Sequence, residues 1–125
     1  MKPERKLWLD LKKNTPTICW NRIENLAVPG LPDVIGYTKH QQFLTVELKV
    51  TRGNKVRFSP HQIAFHVTHP KNTFILLKTL GPLAIKLYEG KDILELVAKG
   101  HGQVKHVACG LEACGLWLER LGSCA

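Results

Sequence analysis

Two stretches decide how this chain folds: Gly30-Leu31-Pro32-Asp33-Val34-Ile35-Gly36-Tyr37 and Phe43-Leu44-Thr45-Val46-Glu47-Leu48-Lys49-Val50. Each is short and apolar, and the polar run Thr38 to Gln42 separates them. That pattern predicts two antiparallel strands joined by a turn. A turn centred near His40 and Gln41 sets Asp33 opposite Leu48 and Val34 opposite Glu47. Side chains alternate along a strand, so Glu47 and Lys49 share one face while Val46, Leu48 and Val50 take the other. Two carboxylates and one ammonium are expected together at one end of an apolar hairpin.

Neighbouring carboxylates repel, and burial penalises each charge. A hard divalent cation removes the conflict, because Mg²⁺ prefers oxygen ligands and takes only one or two carboxylates from a protein. Asp33 and Glu47 are therefore candidate metal ligands, with the Leu48 backbone carbonyl as a third oxygen. Lys49 then stands beside the ion; its simpler role is that of a counter-ion to Glu47. Mg²⁺ is the expected ion, with Mn²⁺ a substitute of similar oxygen preference.

Pro32-Asp33, a gap, then Glu47-Leu48-Lys49 resembles the active-site signature of the PD-(D/E)XK nucleases. Within that superfamily, Gly30 to Asp33, Phe43 to Lys49 and Ser59-Pro60-His61-Gln62 are together most similar to the VRR-NUC domains. The segment Phe58 to His66 also resembles Holliday-junction resolvases, in which a Pro-His-Gln element follows the Glu-x-Lys strand. The resemblance covers about residues 20 to 80. It implies a restriction-endonuclease-like α/β core, a mixed central sheet flanked by helices. It also implies Mg²⁺-dependent hydrolysis of DNA by Asp33, Glu47, Lys49 and Gln62. Members often carry a further acidic residue on a helix ahead of the Pro-Asp strand; Glu4 is the candidate and Asp10 the alternative, each with an ordinary solvated helix charge as its plain reading. Small stand-alone members often act as homodimers.

The composition agrees. A chain of 125 residues suits one domain, and 44% apolar residues are enough for a packed core. Eighteen Lys and Arg against ten Asp and Glu leave a formal charge of +8, which suits a polyanion such as nucleic acid or serves solubility alone. The basic start Met1-Lys2-Pro3-Glu4-Arg5-Lys6 leads into no apolar h-region, and no run approaches the roughly 20 apolar residues of a membrane span. The expectation is a cytoplasmic protein of a bacterial cell or phage-infected host, with reduced cysteines and no membrane partner.

Residues 3 to 13 read as an amphipathic helix, and Thr17 to Asn25 as a strand. Glu24 is near enough in sequence to be a further ligand or an outer-shell group; alternatively it pairs with Arg22 or another base. Thr51 to Phe58 carries Arg52, Lys55 and Arg57 around a flexible Gly53-Asn54 turn. These residues, with Lys39 and His61, are the candidate phosphate contacts, which position nucleic acid without reading its sequence.

Ser59-Pro60-His61-Gln62 is a helix start: Ser59 at the N-cap, Pro60 at the first position and Gln62 at the third. Gln62 either closes a capping box on Ser59 or, as the resemblance implies, helps orient water or phosphate at the site. The helix is expected to reach about His69, with Ile63, Ala64 and Val67 on its core face. His61, His66 and His69 fall in no standard zinc spacing and read as surface or capping residues, with His61 the one nearest the site. Asn72 to Leu80 reads as a strand buried on both faces, Leu83 to Tyr88 as a more exposed strand, and Asp92 to Lys99 as a helix ending at Gly100.

A single domain over residues 1 to 125 is expected, with its core at about 17 to 99. The tail 101 to 125 is broken by glycines and either packs on the domain or forms a dimer surface. Cys109, Cys114 and Cys124, with His101 and His106, match no finger or ribbon spacing and read as ordinary buried thiols rather than a zinc site. Three functions compete. One is a Mg²⁺-dependent, homodimeric DNA endonuclease selective for Holliday junctions or other branched DNA. The second is a flap, nicking or DNA-degrading nuclease of phage or repair type. The third is a basic nucleic-acid-binding module without catalysis.

Overall fold

Pro3 opens the first helix, α1 (Pro3–Asn14), where its missing N–H costs nothing. Leu7, Trp8 and Leu11 fall on one side of α1 and are buried, while its lysines face water. This computed structural model describes residues 2–23 and 29–123. After α1 come β1 (Cys19–Arg22), β2 (Val34–Tyr37), β3 (Phe43–Thr51), α2 (Pro60–Thr68), β4 (Thr73–Leu80) and β5 (Leu83–Glu89). A 3-10 turn at Gly90–Asp92 leads into α3 (Ile93–Lys99), followed by β6 (Ala108–Cys109) and α4 (Leu111–Glu119). The chain is thus an α/β protein whose mixed six-stranded sheet is flanked by helices, as the sequence led us to expect.

The strands lie in sequence order, β1 to β6, and every pairing is antiparallel except β3 with β4. A parallel pair needs a crossover, and α2 supplies it. The apolar run of β4 is buried on both faces. On one face, Val46, Leu48, Phe74, Leu76 and Leu87 pack with Leu7, Trp8 and Leu11 of α1 and Cys114 and Leu118 of α4. On the other, Ile75, Leu77 and Tyr88 pack with Ile93 and Leu96 of α3. Glu47 and Lys49 belong to this second face by alternation along β3.

The hairpin register differs from expectation by one residue. Val34 pairs with Val46, and Tyr37 with Phe43. The turn is centred on His40 rather than between His40 and Gln41: Thr38 N–H donates to the Gln42 carbonyl, Gln41 N–H donates to the Thr38 carbonyl, and Gln41 takes a positive φ of 62°. That is the three-residue hairpin loop, whose last residue sits in the left-handed region. Continuing the ladder brings Asp33 level with Glu47. A one-residue slip flips side chains between faces, so the expected register would have set Asp33 on the Leu48 face; the observed one sets it with Glu47.

The described part of the tail, to Ser123, packs on the domain, with Cys114 and Leu118 in its core. Gly115 does not interrupt α4: a Cβ there would lie 2.9 Å from the Asn14 carbonyl oxygen, so glycine permits the close approach of α1 and α4. The Gly53-Asn54 turn is pinned rather than free. Asn54 Nδ2 donates to the Lys99 carbonyl at 3.2 Å, and Gly102 N–H donates to Asn54 Oδ1 at 2.8 Å. Of the described thiols, Cys114 is buried but Cys19 and Cys109 are exposed, against the expectation for Cys109; Cys124 lies outside the described residues. Among the described residues no helix is long and apolar enough to cross a membrane.

Candidate active site

β2 begins at Val34, paired with Val46, so Asp33 just before it lies beside the stretch of β3 that β2 leaves unpaired. There the Leu48 N–H donates to Asp33 Oδ2 at 2.7 Å. The N–H and C=O of one strand residue point the same way, so the Leu48 carbonyl faces this edge too. Glu47 is 2% exposed. Its carboxyl is raised from an ordinary 4.5 to about 9, first because burial strips its water, then through its hydrogen bond to Asp33 and the Asp33 charge. Lys49 opposes the rise, and Glu4 adds slightly to it. At neutral pH Glu47 keeps its proton. Its Oε1 has no hydrogen-bond partner among the described residues.

Lys49 is held from two sides. Its Nζ lies 3.4 Å from Gln62 Oε1 and 4.9 Å from the centre of the Phe58 ring. Gln62 in turn closes the expected capping box: Ser59 N–H donates to Gln62 Oε1 at 2.9 Å, and Gln62 N–H donates to Ser59 Oγ at 3.1 Å. The two roles considered for Gln62 are thus compatible, since the oxygen that caps the helix also faces the lysine. Gly30 makes the junction possible. Its φ is +87°, and a Cβ there would fall 2.5 Å from the His61 carbonyl oxygen. The Pro-Asp segment therefore runs directly against the start of α2.

His66 requires correction. It is fully buried, and its Nε2 lies 3.9 Å from Glu47 Oε1. Burial lowers its imidazole from an ordinary 6.5 to about 4, with His69 contributing. With Glu47 protonated and His66 neutral, this contact is not an ion pair in the metal-free protein, despite its length. The core-facing side of α2 carries Ile63 and His66, whereas Val67 is 48% exposed and Ala64 is also exposed. His69 does act at the helix end, its Nδ1 lying 2.8 Å from the Phe65 carbonyl oxygen.

A cleft of about 260 Å³ opens beside Lys49, lined by Glu4, Thr51, Lys55, Val56 and Arg57. Lys55 and Arg57 thus share a wall with the lysine. Arg52 is exposed on the loop beyond them, and His61 is exposed at the rim by Gly30. Lys39 is not part of this cluster: it sits in the hairpin turn, roughly 20 Å along the strands from Asp33 at the usual rise per residue. Of the two acidic candidates on α1, Glu4 reaches the cleft, while Asp10 pairs with Lys6 at 3.5 Å. Glu24 lies outside the described residues.

Among the described residues no three His, Cys, Asp or Glu side chains gather as a ready-made metal cage. A hard cation of the Mg²⁺ type needs less, keeping water or substrate oxygens in most positions. The donor chemistry fits it. The Asp33 and Glu47 carboxyls are hydrogen-bonding neighbours, Glu47 Oε1 has no partner among the described residues, and a backbone carbonyl faces the same edge. A divalent ion held by both carboxylates would offset the cost of burying the pair.

No protein-family model matches the chain, and no curated protein is significantly similar to it. Among solved structures it is similar to Hjc, a Holliday junction resolvase from the archaeal hyperthermophile Archaeoglobus fulgidus. The sequence identity is 20%, the match covers 70% of this chain and 74% of that one, and the TM-score is 0.49.

Proposed function

We propose that this chain is a Mg²⁺-dependent DNA endonuclease of the PD-(D/E)XK type, its motif most like that of VRR-NUC domains. One observation carries the reading: the Asp33 and Glu47 carboxyls meet on one face of the sheet, beside Lys49 and a basic cleft. A protein that only bound DNA would have no use for paired carboxyls beside phosphate. Asp33, Glu47 and the Leu48 carbonyl would hold the ion, with Glu4 at the cleft as a further acidic group. When bound, the ion would supply Lewis acidity to a phosphoryl oxygen and to water. Lys49, steadied by Gln62 and Phe58, orients the attacking water and offsets charge developing on phosphorus. Lys55 and Arg57 hold the flanking backbone, and Arg52 and His61 extend the contact.

A homodimer would offer one site to each of two strands, which suits branched DNA. A cytoplasmic setting suits a DNA substrate. The test incubates the protein with labelled linear, flap and four-way DNAs, with Mg²⁺ or chelator, beside Glu47→Ala and Lys49→Ala. Metal-dependent cutting lost in both variants is expected. Absence of cutting by the wild type, or cutting that survives both substitutions, overturns the assignment. Equal cutting of every DNA removes branch selectivity alone.

A further inference from the structure

His66 is an expensive residue to bury where it is. Among the described residues both ring nitrogens lack a hydrogen-bond partner, and so does Glu47 Oε1, the polar atom 3.9 Å from Nε2. Buried polar atoms are paired in the great majority of cases, and an apolar side chain here would leave none of the ring's need unmet. The ring is seated rather than squeezed in. Phe65 meets it edge-on at 5.4 Å between ring centres. On the far side Gly90 leaves the space: a Cβ there would lie 2.5 Å from Nδ1. The gap to Glu47 is about 1 Å longer than an N–H···O hydrogen bond, a shift that one side-chain rotation supplies.

We infer that His66 is a positioning residue for Glu47: its Nε2–H takes the free carboxylate oxygen, so that the other oxygen is presented beside Asp33. This deepens the metal-site reading and rests on it. A carboxylate that binds a cation through one oxygen needs its second oxygen satisfied, and such outer partners set ligand orientation and affinity. Among the described polar side chains on this face, His66 is the one standing unpaired at that oxygen.

The test is calorimetric titration of Mn²⁺ chloride into wild type, His66→Leu and His66→Gln, without DNA. Leu should weaken Mn²⁺ binding about 10- to 100-fold, and Gln, which keeps a donor at similar reach, should recover most of the loss. Equal affinity in wild type and His66→Leu overturns the inference while leaving the metal site standing. No Mn²⁺ binding by the wild type overturns the metal reading, and the inference with it. Should His66→Leu fail to fold, the wild type decides alone. On Mg²⁺ saturation the His66 Nε2–H proton should move downfield in nitrogen-resolved spectra; unmoved imidazole signals refute the role.

Discussion

Replacing Glu47 by Gln should make the protein more stable, and the gain should grow with pH. In the folded protein Glu47 holds its proton up to about 9, whereas the unfolded chain releases it at the ordinary 4.5. Between those values the folded state binds the extra proton, so stability falls as pH rises, by about 1.4 kcal/mol per unit. At pH 7 the accumulated penalty is about 3 kcal/mol. Gln matches the shape of the protonated acid, keeps a donor for Asp33 and carries no proton to lose. His66 works in the opposite sense. Its imidazole is lowered from 6.5 to about 4, so stability is lost as pH falls through that window. In the wild type the two slopes offset each other between about pH 4.5 and 6.5, and only the Glu47 decline remains above. The assay is urea unfolding from about pH 5 to pH 9 in chelator, taking Glu47→Gln minus wild type to cancel all other titrations. A difference that rises steadily with pH is expected. Parallel curves would refute the reasoning, because they would mean Glu47 is ionised in the folded protein.

Three further outcomes follow from the same geometry. His66→Leu should raise stability by about 1–2 kcal/mol, since it removes two unpaired buried nitrogens, and a melting point no higher than wild type would contradict this. Ser59→Ala should cost about 1 kcal/mol through loss of the helix cap, read as a lower denaturant midpoint at unchanged slope. Lys55→Ala with Arg57→Ala should weaken DNA binding alike on all sequences and reduce the salt-dependence slope by about 2; an unchanged slope would remove both from the phosphate path.

Local chemistry made much of this legible in advance. The start of α2 was readable because Ser59, Pro60 and Gln62 satisfy helix-end donors by themselves, and the structure has that capping box. β4 was readable because an uninterrupted apolar run has no wet face to offer. What escaped was set by distant contacts. The hairpin slipped by one residue because Gln41 adopts a left-handed conformation that nothing in its side chain announces. His66 escapes the sequence because α2 turns its Ile63 side to the sheet, which carries the imidazole to within 3.9 Å of Glu47 Oε1. The weak apolar spacing of α2 favoured Val67, which is exposed. In the tail, glycines looked like breaks; one of them, Gly115, is instead where two helices touch. Lys39, expected with the basic loop, is carried by the hairpin to the other end of the strands.

The most direct measurement is anomalous diffraction from a crystal soaked in Mn²⁺. The account predicts one peak about 2.1 Å from oxygens of both Asp33 and Glu47, with the Leu48 carbonyl on the same ion. A soaked crystal with no peak there, the two carboxyls still side by side, would contradict it.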